Sequence, residues 1–277
     1  VNASFEAVQH VALLLGPPIA GLLIAWAGAS NVLWLDAATF AVSAAAVAVA
    51  VPTSPRQKPT QRGRYVDELV AGLRFIRKDR VLFWMMIVLA ISNGLGDSLF
   101  AVVLPVYAKD AFESAADLGL MFSALGAGAL IGATLYGMLG HRVPRRALWL
   151  ASFASMPLVC WVLALQPSLP VLVAVILIGG IATGPTNPLM VTIRHERSPV
   201  DLRGRVFASY SAVAVATEPL GMVVAGFLIE GAGFSPTVLA LAACQQALAV
   251  GIVFLPAFRH LNKPEIPCGA KLDAPAA

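Results

Sequence analysis

The residues able to do chemistry in this chain are few, and they stand inside long apolar runs. Glu218 lies about 12 residues into one run, about 18 Å by helical rise and so near its middle. Ser211, Ala214, Gly221 and Ala225 share its helical face, which is therefore lined by small residues, and Pro219 follows directly. Asp97 shares a face with Asn93, four residues earlier, beside Gly94 and Gly96. Glu6 and His10 are also four apart, a spacing that allows a proton-sharing pair. Asp36 stands one turn into its run, where a helix N-terminus favours negative charge. A charge in hydrocarbon is costly, so each acid is a candidate for proton or cation transport. The competing reading is a neutral, hydrogen-bonded structural acid.

Other chemistry is missing. There is no paired-acid motif, no His/Cys spacing for a metal, no phosphate-binding Gly-rich loop and no Ser elbow. The three cysteines, Cys160, Cys244 and Cys268, form no disulfide framework. An enzyme is therefore not expected, and no cofactor or metal is implied.

The elements that must hold these acids follow from composition. Of 277 residues, 58% are hydrophobic and 12% charged, and the mean hydropathy is +0.80. Soluble domains carry about 25% charge, so this chain cannot cover a water-facing surface. A soluble enzyme, a nucleic-acid binder and a disordered chain are all excluded. A bilayer core about 30 Å thick needs roughly 20 apolar residues as helix. Eight segments qualify: about 7–26, 32–51, 82–107, 118–139, 147–166, 169–190, 206–229 and 236–256. Alternating ten-residue strands are absent, so the expected fold is an all-α polytopic membrane protein of eight transmembrane helices.

Orientation follows from the short loops, where basic residues collect on the cytoplasmic side. Counted over alternate connections and the C-terminal tail, 18 of 19 Lys and Arg fall on one side, with Lys109 on the other. Both termini are then cytoplasmic. In the long connection 52–80, the stretch Tyr65–Arg80 puts Val66, Leu69, Val70, Leu73 and Ile76 on one face. Acids open it and bases close it, as the helix macrodipole favours, giving an amphipathic helix expected on the cytoplasmic membrane surface.

The chain repeats itself. Residues 1–30 align without a gap on 206–235, with 14 identities that include Gly16/Gly221, Gly21/Gly226 and Gly28/Gly233. The offset spans six segments, as in parallel six-helix repeats of transporters. It divides the chain into the last two helices of one half (1–51), a central loop (52–80), a second six-helix half (81–258) and a tail (259–277). Roughly four further helices are expected before residue 1.

Three passages complete the picture: Leu15–Leu23 with Leu35–Phe40, Leu104–Arg146, and Arg203–Val213. They resemble the major facilitator superfamily from its fifth to its twelfth helix, in the branch of drug and siderophore exporters. The resemblance makes Gly137, His141, Arg142, Arg145 and Arg146 the loop between helices 8 and 9, whose family pattern is G-x-x-x-D-R-x-G-R-R. His141 stands at the Asp position and Pro144 at the second Gly. The surviving Arg cluster can bond helix C-terminal carbonyls and latch the cytoplasmic face, or simply anchor it, and Gly137 permits close helix approach. Gly16, Pro17 and Gly21 resemble the antiporter signature G-P-x-x-G-G, with Ala20 replacing one glycine.

What the resemblance implies is a multi-pass inner-membrane transporter embedded in the lipid bilayer, working by rocking of two halves. It would export amphipathic small molecules using the proton gradient, with Glu218 and Asp97 as coupling acids. An importer or facilitator on the same scaffold, or a membrane fragment that transports nothing, remains the alternative.

Overall fold

The computed structural model describes residues 26–50, 65–112 and 114–261, together with Ile19 and Leu23. Seven helices among them are long and apolar enough to cross a membrane. The expected span 7–26 lies outside the described residues apart from Ile19, Leu23 and Trp26, as do Glu6, His10, Gly16, Pro17 and Gly21.

The first described helix is α1 (Ala29–Ala50), followed by α2 (Tyr65–Lys78). One span then runs through α3 (Arg80–Ser98), a π turn at Leu99–Val103 and α4 (Leu104–Phe112). Next come α5 (Ala115–Leu139) and α6 (Arg145–Ala164). Two consecutive helices, α7 (Leu169–Thr183) and α8 (Thr186–Arg197), make the following span. The last two are α9 (Arg203–Ala232) and α10 (Phe234–Phe254). All seven spans follow the apolar runs, but several outlast them. Arg80, Arg145, Arg146, Arg194, Arg197, Arg203 and Arg205, expected in connections, are helical. Hydropathy ends where hydrocarbon ends, whereas backbone hydrogen bonding carries the helix on into the headgroup region.

Glycines set the spacing between helices. On α5 and α7 they face each other: a Cβ at Gly180 would stand 2.6 Å from the Leu125 carbonyl oxygen, and one at Gly132 would overlap that of Ile181. Gly128 and Gly184 extend this seam along both helices. Without a hydrophobic force between helices in lipid, such backbone proximity is what supplies dispersion contact. The expected close approach at Gly137 is not made among the described residues, where a Cβ at 137 would meet nothing within 4 Å. The seam has already formed two turns earlier, at Gly128 and Gly132.

The repeat has a conformational counterpart. Gly28 and Gly233, aligned by sequence, have φ of +82° and +92°. Each precedes a helix, at Ala29 and at Phe234. Only glycine enters this region freely, so the same turn is built twice.

The helix α2 forms with Asp67 and Glu68 in its first turn and Arg77 and Lys78 in its last. It ends before Arg80 because Asp79 caps the next helix, its Oδ1 accepting from Val81 N at 2.8 Å and Leu82 N at 3.0 Å. Instead of resting its whole apolar stripe on a membrane surface, α2 packs on α9. Ile76 is fully buried, Gly72 lies against the Arg205 carbonyl, and the Ser209 hydroxyl donates to Leu69 O at 3.1 Å. Small residues at 72 and 209 let the two backbones meet, which a lipid surface does not require.

Buried side chains form two apolar layers. One gathers around Leu82, Met85, Trp149, Ile193, Tyr210 and Phe258, the other around Leu99, Leu104, Met121, Leu163, Ile176 and Val238. In α3 the first ends near Leu89 and the second begins near Leu95; in α9 they are separated by residues 214–228. Asn93 and Glu218 lie in the gap between the layers, and Asp97 and Ser211 lie at its edges.

Candidate transport site

Three spans supply the polar residues in and around that gap. From α3 come Asn93 and Asp97, from α9 come Ser211 and Glu218, and from the break between α7 and α8 come Thr186 and Asn187. The break is local: Gly184 N still donates to Gly180 O at 2.8 Å, and Leu189 N to Pro185 O at 3.1 Å. Pro185 and Pro188, lacking N–H groups, interrupt the ladder between them.

α3 and α9 cross at a glycine pair. A Cβ at Gly221 would overlap the Gly94 carbonyl, and one at Gly94 would lie 3.1 Å from Thr217 O. Asp97 and Glu218 stand three residues from these glycines, on either side of the crossing, both half-buried. The π turn begins two residues after Asp97, and Pro219 sits inside α9 beside Glu218. Both features loosen backbone bonding next to an acid, a place where π turns are frequently functional.

Beside the crossing is a cavity of about 370 Å³ lined by Leu89, Asn93, Thr183, Thr186, Asn187, Met190, Arg194, Tyr210, Ser211 and Ala214. Thr186, Asn187, Met190 and Arg194 fall on one face of α8, which is how that helix addresses the cavity. Tyr210, fully buried, donates its hydroxyl to Leu82 O and so ties α9 to α3 at the cavity wall.

At the end of the bundle bearing most of the arginines lies a second polar layer. Arg145 grips Glu196 through both terminal nitrogens, at 2.6 and 2.8 Å. Arg146 donates to Val253 O at 3.3 Å, one of the last carbonyls of α10. Arg197, its side chain 4% exposed, pairs with Asp79 at 3.1 Å. Arg203 holds the carbonyls of Ser198 and His195, each at 3.2 Å. His141 and Arg142 lie in the 3-10 turn Gly140–Arg142 that leads into α6. Arg145 and Glu196 are each about a third exposed, so their pair contributes modestly to stability. Arg145→Glu is expected to cost about 1 kcal/mol, most of it restored by adding Glu196→Arg. A double-mutant cycle on thermal unfolding in detergent measures this; strictly additive single effects would refute it.

The structure brings Asn93, Asp97 and Glu218 together and leaves Asp36 apart. Asp36 is exposed on α1. Because α1 begins at Ala29 and has no acid in its first turn, Asp36 lies too far along for the macrodipole role expected of it. Three participants went unread in sequence. Arg194 reads in sequence as one of the loop cations, though its spacing from Asn187 and Met190 already puts it on their face. Asp79 and Glu196 carried no local signal, since their partners lie 118 and 51 residues away.

Long apolar helices closed around a polar gap, with acids at a helix crossing, define a polytopic helical membrane protein. Matching the transmembrane secretion effector model over residues 8–275, the chain belongs to that family of the major facilitator superfamily. The multidrug efflux pump Tap of Mycobacterium tuberculosis (strain ATCC 25618 / H37Rv) is 32% identical over 265 residues, covering 95% of this chain and 63% of that protein. Tap of Mycolicibacterium fortuitum is 33% identical over 265 residues, covering 94% and 64%. The enterobactin exporter EntS of Escherichia coli O6:K15:H31 (strain 536 / UPEC) is 27% identical over 248 residues, covering 87% and 57%. The chain thus spans less than two thirds of the length of each.

Proposed function

We propose that this chain provides the coupling half of a proton-driven exporter of amphipathic small molecules. The observation that carries the reading is the pair Asp97 and Glu218, set at a glycine crossing between two apolar layers and beside a cavity. Two carboxylates within the membrane, on helices that meet at glycines, put a proton-binding group on each side of the contact. A protonated pair lets α3 and α9 close on each other; a deprotonated pair pushes them apart. That is a two-state element a proton gradient can bias. The names of the relatives, multidrug efflux pump and enterobactin exporter, favour export.

In this reading residues 81–258 form one six-helix half, residues 1–51 contribute two helices to the other, and 52–80 link them. Arg145, Arg146 and Arg197 close the cytoplasmic end, and the clustering of basic residues on one side supports both termini lying in the cytoplasm of an inner-membrane protein. Glu218→Gln mimics permanent protonation and is expected to abolish substrate movement driven by a pH gradient in inverted vesicles while leaving counterflow exchange. Gradient-driven transport undiminished in the variant would sink the assignment. Substrate accumulating inside whole cells would instead reverse the direction.

A further inference from the structure

Arg194 is the one strongly buried cation on the cavity wall, 7% exposed. Its guanidinium lies 4.4 Å from the ring centre of Phe207 and 5.1 Å from that of Tyr210. Nε donates to Met190 O at 3.2 Å. Among the described residues no carboxylate pairs with it, in contrast to Arg145 and Arg197 nearby. The aromatic faces fix the plane of the group and strip water from it, leaving the two terminal nitrogens, with four N–H donors, for the cavity. Thr186 Oγ1, also on the cavity lining, is buried without a hydrogen-bond partner among the described residues, and Asn187 of α8 and Asn93 of α3 add amide groups to the cavity. A buried charge without a counter-charge is costly, and so is a buried unpaired hydroxyl. Both costs disappear when an oxyanion enters.

We propose that this end of the cavity is an anion subsite, taking the carboxylate of an amphipathic organic acid through the Arg194 fork. Thr186 and Asn187 complete the hydrogen bonding, and the apolar body of the ligand lies against Leu89 and Met190. The volume of about 370 Å³ is within the range of small-molecule sites. Asp97 and Glu218, one helical turn beyond Asn93 and Ala214, stand away from the arginine and leave its charge uncancelled. The subsite names a substrate class within the export reading and rests on it, but its test needs no transport.

Three probes sharing one apolar body decide it: pyrenebutyrate, its uncharged methyl ester and pyrenebutylamine. Binding to the full natural chain in detergent is read by energy transfer from tryptophan to pyrene. The acid is expected to bind most tightly. Arg194→Gln should weaken the acid roughly tenfold or more, the scale of a lost charged hydrogen bond, and leave ester and amine unchanged. Arg194→Lys should recover part of the loss. Asn187→Asp, which puts a negative charge on the face of α8 that carries Arg194, should also weaken the acid selectively and improve the amine, which keeps the test valid if Arg194→Gln does not fold. Equal binding of acid and ester by the unaltered protein would overturn the subsite. So would equal weakening of all three probes by Arg194→Gln, which marks a purely structural arginine. Selective acid binding without movement under a pH gradient would leave the subsite standing and overturn the export reading alone.

Discussion

Asp79→Ala is expected to lower the stability of the helical bundle by about 3 kcal/mol, more than any other single charge removal at this end of the bundle. Two functions meet in this one carboxylate. Its Oδ1 caps α3 by accepting from Val81 N and Leu82 N, and the group pairs with Arg197 across the bundle at 3.1 Å. With the Arg197 side chain only 4% exposed, removing its carboxylate strands charge in a poorly solvated place, and that term dominates the loss. Asp79→Asn separates the two: asparagine caps nearly as well as aspartate, so about 1 kcal/mol should return while the pairing energy stays lost. Thermal unfolding in detergent, compared across wild type, Asn and Ala, measures both steps. Equal stability of the Asn variant and wild type would show that the ion pair contributes nothing.

The pair also links elements in a way that bears on mechanism. Asp79 opens α3, which carries Asn93 and Asp97, whereas Arg197 closes α8, which carries Asn187 and Arg194. Loosening it frees one cavity wall from another. The Asn variant should therefore alter substrate turnover beyond what its stability loss explains, if closure of this end is part of the cycle.

How much of this was legible in the chain depends on how local the cause is. Apolar run length settles the spans, and the repeat finds the turn glycines, because both act within a few residues. The match of Gly28 and Gly233 was visible as an identity, and it is the backbone angle at each that explains it. Partnerships are another matter. Gly137 and Gly132 are both helical glycines five residues apart, and nothing local says that Gly132 meets Ile181 while Gly137 meets no described residue. Arg194 and Arg205 read alike as basic residues near a helix end. The first is buried over two aromatic rings and the second is exposed, a difference decided by which helix lies opposite. Asp36 was misplaced because its helix starts earlier than its apolar run.

The glycines also carry the second large effect, at Gly221. A methyl group there would overlap the Gly94 carbonyl and stand 2.7 Å from Ser98 Oγ. The obstacle is backbone, so it yields only if the whole helix moves, and Gly221→Ala should cost as much as about 3 kcal/mol. Gly184→Ala meets the same kind of obstacle, the Ala129 carbonyl, and should cost a similar amount, but it lies in the seam between α5 and α7, away from the acids. Gly226→Ala, where a Cβ meets nothing within 4 Å, should be neutral to within about 0.5 kcal/mol. The three variants separate packing from coupling. If the α3–α9 crossing merely holds the bundle together, Gly221→Ala and Gly184→Ala will lose gradient-driven transport in proportion to stability. If the crossing sets the separation of Asp97 and Glu218, Gly221→Ala will also lose gradient-driven transport beyond its loss of stability, while counterflow exchange falls only in proportion to stability. Gly184→Ala will not. Gradient-driven transport and counterflow falling in the same proportion in Gly221→Ala, at equal expression, would remove the acids from the coupling step and leave α3 and α9 as scaffold.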